Sequence, residues 1–134
     1  MPPSPAELWQ FLPLGYLLTI FIETPILLVG LAPRHALRQR LLAGVLLTAC
    51  TYPIVVLVLP PLLWDRWGEG VYLVVAETFA PLAESLVFLV WTWPASTDSP
   101  PMGRFPPGAA RDVAAIILAN LASFLLGELI FRQG

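Results

Sequence analysis

The sequence predicts an all-α polytopic membrane protein of four transmembrane helices, and three observations carry that expectation. The 134 residues are 57% apolar with a mean hydropathy of +0.78, too hydrophobic for a soluble domain of this size. The apolar residues fall into four runs, roughly 8–31, 37–63, 71–93 and 113–131, each near the 20 or so residues a helix needs to cross a bilayer. These runs are continuous rather than alternating, which argues against a barrel, and an open sheet cannot satisfy its backbone in lipid. The expected organisation is a single transmembrane domain over 1–134, with hairpin one at about 5–63, hairpin two at about 70–132 and a proline-rich cytoplasmic loop at about 94–110.

Helix 1 is expected to start at Ser4-Pro5-Ala6-Glu7, which has the form of a capping box with proline at the first helical position. No positive charge precedes it, so the segment does not read as a cleavable signal. Within the helix, Glu23-Thr24-Pro25 places a proline beside a carboxylate. A proline lacks the backbone donor and pushes away the carbonyl four residues earlier, so a kink is expected at Pro25. Pro53 in helix 2 and Pro81 in helix 3 repeat the arrangement near Thr51 and between Glu77 and Glu84.

Helix 2 follows a short connection over 32–36, so the first two helices should form an antiparallel hairpin. Arg34, His35, Arg38 and Arg40 in and after that connection read as interfacial anchors rather than as a headgroup or metal site. The helix carries Thr48 and Thr51 on one face and ends near Pro60-Pro61, after which Trp64 and Trp67 read as an aromatic belt. Helix 3 holds Glu77 and Glu84, seven residues apart and therefore on one face. Helix 4 runs through Asn120, Ser123, Gly127 and Glu128, and Ser123-x-x-x-Gly127 is a spacing that lets a second helix approach closely.

Charge placement sets the expected topology. All seven basic residues are arginine, five of them in the connections after helices 1 and 3. The positive-inside rule then puts those connections in the cytoplasm and both termini outside. Arginine without lysine, in a chain rich in alanine and leucine, fits a GC-rich genome, and the expected location is a bacterial plasma (inner) membrane. No basic face exists for nucleic acid. The single cysteine, Cys50, provides neither a disulfide framework nor a thiolate metal cluster.

The two hairpins also read as a repeat. Glu23-Thr24 followed by an aliphatic run corresponds to Glu84-Ser85 followed by another, and in the second helices Thr48, Thr51 and Tyr52 correspond to Asn120, Ser123 and Phe124. Such a repeat relates the halves by a pseudo-twofold axis along the membrane normal, with Glu23 facing Glu84 near mid-membrane. Glu77 and Glu128 then form an outer layer.

A central acidic residue costs about 2.5 to 3.5 kcal/mol on insertion scales, and Glu23, Glu77, Glu84 and Glu128 have no arginine within the spans to pair with. The carboxyls must be protonated, hold a cation, or meet another chain. Oxygen donors from glutamate, Thr48, Thr51, Asn120 and Ser123 suit protons or a hard cation, so a metal ion at Glu23 and Glu84 is an allowed guest and no other cofactor is expected. The expected function is a transporter or channel for protons or cations, working as a homo-oligomer in the bilayer. The alternative is a non-catalytic accessory or assembly subunit of a larger membrane complex, with the glutamates as interhelical or inter-subunit clamps. Enzymatic function is not expected: paired carboxylates can do acid and base work, but no nucleophile elbow, phosphate loop or metalloprotease pattern is present.

Overall fold

The structure is a computed structural model that describes residues 1–94 and 101–132; part of the expected 94–110 loop, residues 95–100, lies outside the described residues. It is all-helical among those residues. Helix α1 spans Pro5–Gly30, α2 Leu37–Pro53, a π-helical turn Ile54–Val58, α3 Leu59–Trp91 and α4 Ala109–Arg132. Three helices are long and apolar enough to cross a membrane, Pro5–Gly30, the 55-residue run Leu37–Trp91 and Ala109–Arg132.

The start of α1 is set locally. Ser4 Oγ accepts from the Glu7 backbone N–H at 3.3 Å, and the Glu7 carboxylate accepts from the Ser4 backbone N–H at 2.7 Å, which completes the capping box. The backbone then stays helical through Pro13 and Pro25, and in α3 through Pro81. Only after Pro53 does the register change, into the π turn, where the Leu59 N–H donates to Ile54 O. The next residues, Pro60 and Pro61, have no N–H to continue that pattern. Val55 O instead accepts from the Tyr72 hydroxyl at 3.2 Å.

The run Leu37–Trp91 merges the second and third expected spans, because residues 64–70 remain helical where a loop was expected. Gly68 is the exception, with φ 82° and ψ 171°. A Cβ there would meet nothing within 4 Å, so the need for glycine is conformational rather than steric. The chain reverses at this point. Thr51 and Glu84 are 33 residues apart yet bond at 2.6 Å, whereas a straight helix would hold them about 50 Å apart.

α1 packs against α2 and α4, and α3 packs against the same two, so α1 and α3 face each other across a diagonal. α1 and the part of α3 after Gly68 run one way, α2 and α4 the other, since the start of α1 meets the end of α4 through Phe11 and Phe131. Close approach comes from Gly44, where a Cβ would lie 2.9 Å from Thr24 Cβ, and from Gly30, where it would lie 2.8 Å from Ala115 Cβ. Among the described residues of the chain itself no helix closes on Gly127, where a Cβ meets nothing within 4 Å.

The burial pattern is inverted relative to a water-soluble bundle. Leu17, Phe21, Val74, Leu82, Leu86 and Leu118 are exposed, while Glu23, Glu84, Thr48, Thr51, Asp112 and Asn120 are buried. Such an apolar exterior around a polar interior suits contact with a lipid bilayer. Trp67 is exposed in keeping with a belt position, but Trp64 stacks on Tyr72 at 5.3 Å between ring centroids and belongs to the packed structure.

Candidate functional site

Glu23 on α1 and Glu84 on α3 project from diagonally opposed helices, and each takes its hydrogen bonds from the two helices between them. Glu23 Oε1 accepts from Ser123 Oγ at 2.6 Å and Oε2 from Thr48 Oγ1 at 3.3 Å. Glu84 Oε1 accepts from Thr51 Oγ1 at 2.6 Å and Oε2 from Asn120 Nδ2 at 2.7 Å. Every carboxyl oxygen of the pair therefore has one neutral donor. Both glutamates are buried, with 1% and 2% of their surface exposed.

The hydroxyls have a second option. Thr48 Oγ1 also lies 2.9 Å from Gly44 O, Thr51 Oγ1 3.2 Å from Leu47 O, and Ser123 Oγ 2.9 Å from Asn120 O. Each of these carbonyls lies three or four residues earlier on the same helix, the usual back-bond of a helical Ser or Thr. A hydroxyl has one proton to give and lone pairs to accept with. Facing an ionised carboxylate it donates inward; facing a protonated carboxyl it turns its proton to the backbone and accepts. Asn120 has no such freedom, because its two amide protons go to Glu84 and to Ile116 O at 3.0 Å. Oε1 of Glu84 therefore faces the donor that can turn away, and Oε2 the one that cannot.

A cavity of about 490 Å³ starts at this pair and extends to the end of the bundle where α1 begins and α4 ends. Its walls include Tyr52, Tyr72, Phe124 and Glu77, and its far end Glu128 and Phe131. Glu77 is half-buried and makes no hydrogen bond or ion pair among the described residues. Glu128 pairs with Arg132 at 2.8 Å, at the rim. On the other side of the Glu23–Glu84 layer, Leu27, Leu31, Leu47, Phe88 and Ile116 are each no more than 1% exposed and close the bundle. The cavity does not extend past this apolar layer.

All eight residues singled out in the sequence as cation or proton ligands line this cavity. Glu23, Glu84, Thr48, Thr51, Asn120 and Ser123 form one bonded layer, while Glu77 and Glu128 stand away from it toward the opening. Of the three prolines, none lines the cavity; Pro53 stands where α2 gives way to the π turn. Among the described residues no group of three or more His, Cys, Asp and Glu side chains is placed to hold a metal.

Sequence reasoning missed a second polar cluster, beyond the apolar seal. Asp112, fully buried, accepts from the Ala32 backbone N–H at 2.7 Å and lies 2.8 Å from His35 Nε2, with Arg34 at 3.7 Å. His35, expected at the interface, is 3% exposed and meets Phe88 edge-on at 4.9 Å. Arg40 donates to Leu28 O at 2.8 Å, and Arg111 donates to Gly30 O at 2.9 Å. These two arginines satisfy the carbonyls left open at the end of α1. The signal available in the sequence was Asp112 beside Arg111 at the head of an apolar helix. Comparison with protein-family models, curated proteins and solved structures finds no match to this chain.

Proposed function

We propose that this protein moves protons or cations across a membrane by exchange at Glu23 and Glu84. The observation that carries the reading is the placement of Thr48, Thr51 and Ser123 between a carboxyl oxygen and a backbone carbonyl. With those hydroxyls free to turn, both glutamates find partners whether charged or neutral, and the backbone need not move. A site that must bind and release a positive charge needs that tolerance in both states. The apolar seal below the pair favours a carrier that changes conformation over a standing pore.

In this reading the two arms of the Leu37–Trp91 run are separate spans, giving four in all and two hairpins related by a pseudo-twofold axis. Exchanging Glu23 with Glu84, Thr48 with Asn120 and Thr51 with Ser123 converts the four bonds of the layer into one another. Thr24 and Ser85, which the same exchange relates, are also the two residues whose buried hydroxyls lack a partner among the described residues. The membrane is a bacterial inner membrane, the cavity and both termini face outward, and the arginine-rich end faces the cytoplasm. Assembly as a homo-oligomer supplies the surface against which such a small bundle rocks.

One observation favours a second reading. Each glutamate ties its own helix to both α2 and α4, which is also the geometry of an interhelical clamp. An accessory subunit whose glutamates await arginines of a partner is less favoured, since all four oxygens already have donors.

The test is flux of protons and of a panel of metal cations into proteoliposomes, for the wild type and the Glu23→Gln, Glu84→Gln double variant. Flux that disappears in a folded double variant supports exchange. A folded wild type with no flux, together with a double variant that unfolds, would leave the clamp reading in its place.

A further inference from the structure

We infer that the cavity is a binding site for an organic cation with an aromatic or otherwise apolar body, such as a tertiary amine or quaternary ammonium or phosphonium compound. This rests on the reading of Glu23 and Glu84 as an exchange site and names its substrate class.

Size is the first argument. The cavity of about 490 Å³ is within the range of about 300–1,000 Å³ typical of small-molecule pockets and many times the roughly 30 Å³ share of a single water. A proton path needs only a file of waters, and a bare metal ion needs only its ligand shell. Neither accounts for a chamber this wide with so apolar a wall.

The wall itself is the second. Tyr52, Tyr72, Phe11, Phe124 and Phe131 contribute rings from four different helices, and no arginine or histidine lines the chamber. Aromatic faces attract cations with weakly hydrated charge, and the attraction grows when both are out of water. At the floor stand Glu23 and Glu84, and on the wall stands Glu77, which has no bonding partner among the described residues. A carboxylate without a partner in an apolar chamber favours a guest that brings positive charge and little water.

Shaping residues point the same way. Gly15 leaves the room that the Tyr52 hydroxyl occupies, since a Cβ at position 15 would collide with it. Gly127 does the reverse: it lines the chamber, and a Cβ there would meet nothing within 4 Å. The chamber therefore has open volume beside α4 that a larger side chain can fill without displacing protein. Charge balances by exchange. One monovalent cation binding beside the pair displaces one proton from a glutamate, and the proton leaves through the open end.

The experiment uses the purified full chain in detergent, titrated with tetraphenylphosphonium while proton release is followed. The expected result is saturable binding with release of about one proton per cation. Binding should weaken at least tenfold in Gly127→Leu, which fills the chamber, and in Glu23→Gln, Glu84→Gln, which removes the charge. Leu82→Ala, on the outer surface, should bind like wild type. Equal binding by wild type and Gly127→Leu, each shown monodisperse, would overturn the inference, as would an absence of saturable binding. If tetraphenylphosphonium fails while wild-type flux of protons or metal ions still needs Glu23 and Glu84, the substrate class is wrong and the exchange site stands. If a folded wild type gives neither binding nor flux, both fall.

Discussion

Asp112 and the Glu23–Glu84 pair are buried carboxyls in the same bundle, and the protein holds them in opposite ways. Asp112 lies among the Arg34 guanidinium, the His35 imidazole and a fixed backbone donor, the Ala32 N–H. The pair lies among neutral hydroxyls and one amide, next to open volume. The first environment holds a carboxylate in one geometry. The second sets hydroxyls that can turn, and open volume, beside its carboxyls. One end of the bundle is therefore bolted and the other adaptable, with the cluster around Phe88 between them.

The largest expected effect breaks the bolted end. Asp112→Ala removes the acceptor of Ala32 N–H and the partner of His35 together. The cost should be about 3–5 kcal/mol, as for other broken buried pairs, read by thermal unfolding of the detergent-solubilised protein. Asp112→Asn should lose less, because its carbonyl oxygen can still receive the Ala32 N–H at the position of Oδ1. Equal losses from both substitutions would mean that charge, and not the backbone tie, holds the end of α1.

Next comes the donor with the shortest bond to Glu84. Thr51→Val keeps shape but leaves Glu84 Oε1 without its partner at 2.6 Å, for which about 1–3 kcal/mol of stability should be lost. Thr51→Ser should restore most of it. Thr48→Val should cost less, since its bond to Glu23 is 3.3 Å and its proton has the nearer Gly44 O.

Glu84→Gln is the sharpest test of the comparison, and its expected effect on stability is smaller still. A glutamine amide placed at Oε1 donates to Thr51 Oγ1, which turns to Leu47 O, while the glutamine carbonyl accepts from Asn120. The fold should change by no more than about 1 kcal/mol, as for a conserved hydrogen-bond count, while proton or cation flux is lost. A loss comparable to that of Asp112→Ala would show that the two regions are held alike, as clamps.

How much of this was legible in the sequence follows from the range of each interaction. The α1 cap was readable because Ser4 and Glu7 are three residues apart and their chemistry is local. The glutamate layer was readable for a different reason: a carboxylate in an apolar run is an anomaly that only the few other polar residues in the spans can satisfy, here Thr48, Thr51, Asn120 and Ser123. Asp112 beside Arg111 at the head of α4 was a weaker signal, because an acid in the first turn of a helix is already explained by the helix dipole. Its partner His35 is 77 residues away in a segment that looked interfacial. The spacing Ser123-x-x-x-Gly127 was ambiguous, because small residues either admit a neighbouring helix or leave a void, and within this chain Gly127 leaves a void. The turn expected at 64–67 is helical instead, and the backbone departs from helix at Gly68, since Trp64, Asp65 and Arg66 are compatible with helix until glycine permits a positive φ.

The smallest effect lies at the rim of the adaptable end. Arg132 is 76% exposed on its side chain and pairs with Glu128 across one helical turn, so Arg132→Gln should alter stability by only about 0.3–0.5 kcal/mol. Its influence should be on entry. Removing the one basic side chain paired at the mouth leaves Glu128 and Glu77 to set the field there, and a more negative funnel raises the local concentration of cations. Cation uptake by Arg132→Gln should rise at low ionic strength and converge with wild type as salt screens the rim within about 10 Å at 0.1 M. An increase that persists in high salt would place the effect deeper than the rim, at the Glu23–Glu84 layer itself, and would mean that the two layers of acids act as one.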